Sequence, residues 1–157
     1  MTRRLAVMNH NGNVDRDAVL RAQVLLLGSG IGIHQEIAAY RILAEISPLT
    51  YLARLARALL TLGHEQLGGR PELHLSVVLD AADAVRRLAE VEPHRDQLLI
   101  DALGEQHRLL DALGRPDEAS AAREELAEVG RRGFAAGRLV SPTGDPRPFG
   151  RRGAAGR

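Results

Sequence analysis

The chain has no cysteine, no lysine and no tryptophan, and only two tyrosines and two phenylalanines among its 157 residues. Without cysteine there is no disulfide, no thiolate nucleophile and no cysteine-bound zinc, a usage that fits a reducing compartment. With aromatics at 3% and hydrophobic residues at 45%, a core has to be assembled from Leu, Ala, Val and Ile, and the chain is long enough to bury one as a single domain. No run of about 18 apolar residues occurs, so no membrane-spanning helix is expected. The N-terminal MTRRLAVMNHNGN contains only the apolar run LAVM, shorter than the roughly 7 residues of a signal-peptide core. The expectation is a cytoplasmic protein that does not associate with membranes.

All 21 cationic residues are arginine, a pattern that GC-rich coding produces without functional demand. The net charge of +1 conceals an asymmetry: residues 130–157 hold seven arginines against the single acid Asp145, a balance of +6, whereas the rest of the chain holds 14 arginines against 19 acids, a balance of −5. Three segments follow: an N-terminal arm (1–13), a body (14–129) and a basic tail (130–157). The tail is rich in Gly, Pro, Ala and Arg and lacks apolar periodicity. Such a segment is disordered by itself or docks on its own body or a partner through Phe134, Leu139, Val140 and Phe149. Contact with nucleic-acid phosphates is the alternative use of its arginines.

The body reads as helix almost throughout. Leu52, Leu55, Leu59 and Leu62 fall at i, i+3, i+7 and i+10 on one helical face, and Leu99, Leu103, Leu109, Leu110 and Leu113 behave alike. Breaks at Ser47-Pro48, Gly68-Gly69-Arg70-Pro71, Glu92-Pro93 and Gly114-Arg115-Pro116 join helix-ending signals to prolines suited to a first turn. The spacing predicts helices over 14–27, 31–46, 49–67, 71–91, 94–113 and 116–129. The glycines of VLLLGSGIGI (24–33) raise the question of a nucleotide loop. The position for a third fingerprint glycine is Ile33, the residues near the expected ribose-binding acid are Ser47, Pro48 and Leu49, and there is no lysine for a phosphate loop. A helix end at Leu27-Gly28 with a turn through Ser29-Gly30 is the better reading.

The helices repeat in pairs. Arg41 to Pro48 (RILAEISP) matches Arg86 to Pro93 (RRLAEVEP) at an offset of 45, and Arg70-Pro71-Glu72 matches Arg115-Pro116-Asp117 at the same offset. Glu125 to Val129 is a weaker third copy of the first block. One period covers two helices, the signature of a helical-hairpin array. Tyr40 to Pro48, then YLARLARALLTLG, GGRPEL, VRRLAEVEP and LLDALGRPDEASAA, resembles the tetratricopeptide repeats of large actinobacterial proteins over about 40–129, and more weakly over 14–39. The period exceeds the usual 34 residues, and His107 stands at the helix-packing position that Gly63 occupies one repeat earlier. The resemblance implies an all-α fold of three antiparallel hairpins stacked into a short right-handed superhelix. Its exposed apolar ends are most simply covered by a symmetric partner, so a homodimer is expected.

In such hairpins the first helix of each pair lines the concave face. Carried over by position, this puts Arg57, Leu60, His64 and Leu67 there in one repeat, and Asp101, Gly104, Arg108 and Asp111 in the next. Arg57, Leu60, His64, Asp101, Arg108 and Asp111 are therefore the expected partner-binding residues, a strip suited to clamping a carboxylate or a peptide backbone. His64-Glu65 and Glu105-Gln106-His107 lie on helices that should be neighbours, where imidazole and carboxylate can meet as an acid/base pair or as metal ligands. No His-x-x-x-His or His-Glu-x-x-His spacing occurs, and no metal or cofactor is assigned. His74, where the family has a small packing residue, reads as a packed histidine. The leading functional expectation is a non-catalytic scaffold holding a protein or peptide in a concave groove. The alternatives are a small helical enzyme or accessory protein of a bacterial biosynthetic pathway, with candidate groups His64, Glu65, Asp101, Glu105 and His107, and a nucleic-acid-associated protein working through its tail.

Overall fold

The computed structural model describes residues 15–139. The N-terminal arm and residues 140–157 of the basic tail, with Val140 and Phe149, lie outside the described residues. Within them the chain is all-helical: α1 (Arg16–Leu27), α2 (Ile33–Ile46), α3 (Pro48–Gln66), α4 (Pro71–Arg86), α5 (Arg95–Ala112) and α6 (Pro116–Ala135). None of these helices is long and apolar enough to cross a membrane.

Local chemistry sets each boundary. Asp15 caps α1, its carboxylate accepting from the Asp17 and Ala18 amides at 3.1 Å, which satisfies two amides that have no intrahelical partner. Residues 28–32 form the turn expected of VLLLGSGIGI, with Gly30 at φ +81°, a left-handed conformation that glycine adopts without strain. Proline occupies the first position of α3, α4 and α6, where its missing N–H costs nothing. At the end of α5, Gly114 has φ +68°, the Arg115 amide donates to the Leu110 carbonyl and the Gly114 amide to that of Asp111. This is the Schellman pattern that closes the orphaned carbonyls of a last turn.

The other boundaries fall within about two residues of expectation, and two depart further. The helix expected over 71–91 ends at Arg86, and the chain unwinds through residues 87–94 before α5 begins. Leu88 stays in the core, and its carbonyl is taken by the Arg95 guanidinium at 3.0 Å. The last helix, expected to stop at Val129, runs on to Ala135 and closes with a second Schellman turn at Gly137 (φ +68°), in which the Arg138 amide donates to the Gly133 carbonyl. The missing signal was a glycine: a Cβ on Gly133 would stand 2.5 Å from Leu139 and 3.0 Å from Asp96. Its bare backbone lets the chain after α6 fold onto the start of α5, where Arg138 Nε donates to the buried Asp96 carboxylate at 2.6 Å.

Each helix packs against the next, and α3 also touches α5. The largest fully buried side chains are Leu43, Leu52, Leu59, Val78, Val85 and Leu103, and Ala56, Ala81, Ala82 and Ala102 are buried among them with Ile37, a core of Leu, Ala, Val and Ile as the composition required. The four leucines assigned to one face of residues 51–62 are all buried. The repeat has a physical counterpart on the surface. Arg41 (α2) pairs with Asp80 (α4) at 3.1 Å, and 45 residues on Arg86 (α4) pairs with Glu125 (α6) at 2.8 Å. Glu45 with Arg87 (3.7 Å) recurs as Glu90 with Arg132 (3.8 Å) at the same interval. The ion pairs that join α2 to α4 thus recur between α4 and α6 at the sequence offset of the repeat.

Candidate functional site

The buried leucines of α3 leave its opposite face, Arg54, Arg57, Thr61 and His64, pointing outward at helical spacing. Because α3 also packs on α5, part of this face meets one side of α5 across an open cleft of about 500 Å³, lined by Arg57, Leu60, Thr61, His64, Leu98, Asp101 and Glu105. A second hollow of about 250 Å³ lies between α2 and α3 against Ile33, Glu36, Tyr40 and Arg54, and it shares Arg57 and Thr61 with the first. The two form one interrupted groove with Arg57 at the junction. Among the described residues Arg57 makes no ion pair, so its guanidinium is available to a ligand.

Of the residues expected on a binding face, Arg57, Leu60, His64 and Asp101 line the cleft. Asp101 accepts from the Gln97 amide at 2.9 Å. Arg108 and Asp111 do not line it: Arg108 grips the Glu105 carboxylate with two bonds from the solvent side, and Asp111 lies 3.4 Å from His107 one turn beyond. Gly104 turns towards Leu126 of α6, and Leu67 packs on the core. Thr61 and Leu98 were not singled out in advance; Thr61 lies one turn beyond Arg57, and Leu98 one turn before Ala102 on α5.

The expected meeting of histidine and acid occurs with a different membership. His64 and Glu105 approach each other, but Glu65 is exposed, and His107 turns to α6, its Nδ1 standing 3.1 Å from the Ala119 carbonyl as a donor. The third member is His74 of α4. Its ring is 3% exposed, stands edge-on to His64 with centroids 5.9 Å apart, and brings Nε2 within 3.3 Å of Glu105 Oε1. That approach misses hydrogen-bonding alignment, and Nε2 has no hydrogen-bond partner. Burial pushes the His74 pKa below the ordinary histidine value, against the pull of Glu105, so the ring is neutral at pH 7. The Arg108 hydrogen bond holds the Glu105 carboxyl below the usual range despite its partial burial.

Gly63 explains how a histidine fits there. A Cβ at this position would lie 2.5 Å from Cδ2 and Nε2 of His74, so α3 gives up a side chain to admit the ring. The next pair of helices reverses the roles: His107 on the first helix meets Ala119 on the second. Each interface accommodates one imidazole against one small residue, and the glycine-to-histidine departure from the repeat pattern is compensated by the partner helix.

Comparison with known protein families, with curated proteins and with solved structures returns no match for this chain.

Proposed function

We propose that the chain is a non-catalytic, tetratricopeptide-like interaction module of the cytoplasm that holds a peptide or a segment of a partner protein along the groove over α3 and α5. The observation that carries this reading is Arg57, a cation without an ion-pair partner among the described residues, at the junction of two hollows. An extended segment with an aspartate or glutamate side chain, or a terminal carboxylate, would meet that guanidinium through a charge-assisted pair. Leu60 and Leu98 on one side, and Ile33 with Tyr40 on the other, would receive flanking apolar side chains. Three stacked hairpins are the architecture that fits the 45-residue recurrence of ion pairs.

On α1, Leu20, Val24 and Leu27 are 58%, 66% and 86% exposed and lie at i, i+4 and i+7, an apolar stripe at the end of the array. A second copy covering it completes the proposed homodimer. A monomeric mass by light scattering at micromolar concentration would contradict that part.

The groove is tested by placing a photo-crosslinking residue at position 61 and irradiating in host lysate. The expected product is one defined, acid-containing segment whose yield drops when Arg57→Ala is added. Crosslinks spread over many proteins, indifferent to Arg57, would overturn the reading.

A further inference from the structure

Three side chains from three different helices, His64 of α3, His74 of α4 and Glu105 of α5, place one donor atom each within 4.8 Å of one another at one end of the cleft. The sequence offers no metal motif because no two of them share a helix. We propose that these three residues bind a single divalent zinc-type ion, leaving a coordination position open to the cleft.

The donor set selects the class of ion. Two imidazole nitrogens and a carboxylate suit zinc and its neighbours among the transition metals, whereas calcium and magnesium take oxygen ligands. The decisive group is His74. A buried imidazole that served only as packing would aim its N–H at an acceptor, yet Nε2 is buried, unpartnered and turned to the two other donors. Room for the imidazole is made by Gly63 in the last turn of α3, where a side chain would collide with the ring. Arg108 holds both oxygens of Glu105 from the outside, as an outer-shell group that orients a ligating carboxylate.

Donors around a tetrahedral zinc at about 2.0–2.1 Å lie roughly 3.4 Å apart; His74 and Glu105 already stand 3.3 Å apart, and the wider separations, within 4.8 Å, must close by up to about 1.4 Å. The exposed member supplies that movement: the His64 side chain rotates towards the buried His74 ring, while Arg108 yields one oxygen of the half-buried Glu105 carboxylate. Three protein ligands leave a fourth position facing Arg57 and Asp101 across the cleft, open to water or to a carboxylate of a bound segment. The site is independent of the groove reading, since an ion can bind whether or not a peptide does.

The test uses the full chain without a histidine tag, stripped with chelator and titrated calorimetrically with zinc, with cobalt as a spectroscopic probe. The expected result is one zinc per chain and a four-coordinate cobalt absorption spectrum. Losing an outer-shell partner costs 10–100-fold in affinity, so loss of a ligand in His64→Ala or Glu105→Gln should weaken zinc binding by about 100-fold or more. The exposed His34, which bonds Gln66 away from the triad, serves as control, and His34→Ala should bind as the parent does. His64 is exposed and makes no hydrogen bond among the described residues, so His64→Ala should fold, and a circular-dichroism melt verifies it. Absence of stoichiometric zinc uptake, or uptake that His64→Ala leaves unchanged, overturns the proposal.

Discussion

Replacing Gly63 with alanine sets two effects of opposite sign against each other. In a solvated helix the change stabilises by about 1 kcal/mol. Here the new methyl carbon stands 2.5 Å from two ring atoms of His74, whereas carbon contacts settle at about 3.5–4.0 Å, an overlap of at least about 1 Å. The ring is 3% exposed and is not the free end of a flexible chain, so the helices must separate or the imidazole must leave its well. Overpacking of this kind costs about 1–3 kcal/mol, and a buried rigid ring belongs at the upper end. The net expectation is a loss of about 1–2 kcal/mol, or roughly 2–8 °C in Tm for a chain of this size, read by urea and thermal unfolding followed by circular dichroism. In a His74→Ala background the obstacle is gone, and Gly63→Ala should then stabilise by about 0.5–1 kcal/mol. A Gly63→Ala chain as stable as the parent, or the same effect in both backgrounds, would refute the packing argument.

Acid should weaken the fold in two stages. Burial keeps the folded His74 pKa below its unfolded value of 6.5, so the unfolded chain binds this proton first; the stabilisation is complete above that value and declines as the pH falls towards the folded pKa. Glu105, held down by Arg108 from 4.5, contributes above that value and loses its contribution as the pH drops through its own folded pKa. Urea midpoints should therefore be lower at pH 5.5 than at pH 7.5, with a smaller difference in His74→Gln; equal midpoints in the parent would contradict the burial argument. Arg138→Ala leaves the buried Asp96 with only Arg95, at 3.5 Å, and should cost about 1–3 kcal/mol in urea unfolding, whereas Arg131→Ala on the exposed side of α6 should stay within about 0.5 kcal/mol. Among the recurring pairs, Arg86 bonds Glu125 through two nitrogens and Asp83 through a third, while Arg41 makes one bond to Asp80. Double-mutant cycles should give a larger coupling for Arg86 with Glu125 than for Arg41 with Asp80, both within the roughly 0.2–1 kcal/mol of exposed pairs.

The helices were legible because leucine spacing and proline placement are local signals. Of the two misplaced ends, that of α6 depended on a contact distant in sequence, Asp96 receiving Arg138 across 42 residues, and the unwound stretch after α4 is held by Arg95 taking the Leu88 carbonyl, a bond that leucine spacing does not reveal. Extending α6 to Ala135 also changes what a tail deletion removes; a truncation that tests the arginines for nucleic-acid contact has to begin after Leu139 to spare the helix and its docking turn. Arg57, Leu60, His64 and Asp101 were reachable from the repeat because their helices pack side by side. Arg108 and Asp111 obey the same spacing, but Arg108 is taken up by its own neighbour Glu105, and Asp111 lies beside His107 away from the cleft. His74 was legible as a packed histidine and not as a neighbour of Glu105, since that meeting requires α4 and α5 to be in register. A glycine in the last turn of α3, one residue before His64, was the available clue: it marks a place where something large approaches the backbone.

The proposed role turns on whether the Arg57 guanidinium carries binding. Once crosslinking from position 61 has identified a segment, that peptide is synthesised and titrated calorimetrically into the parent chain and Arg57→Ala at physiological salt. An affinity at least tenfold weaker in Arg57→Ala, about 1.4 kcal/mol, with an unchanged melting curve is the predicted result. Equal affinity for the two chains would contradict it.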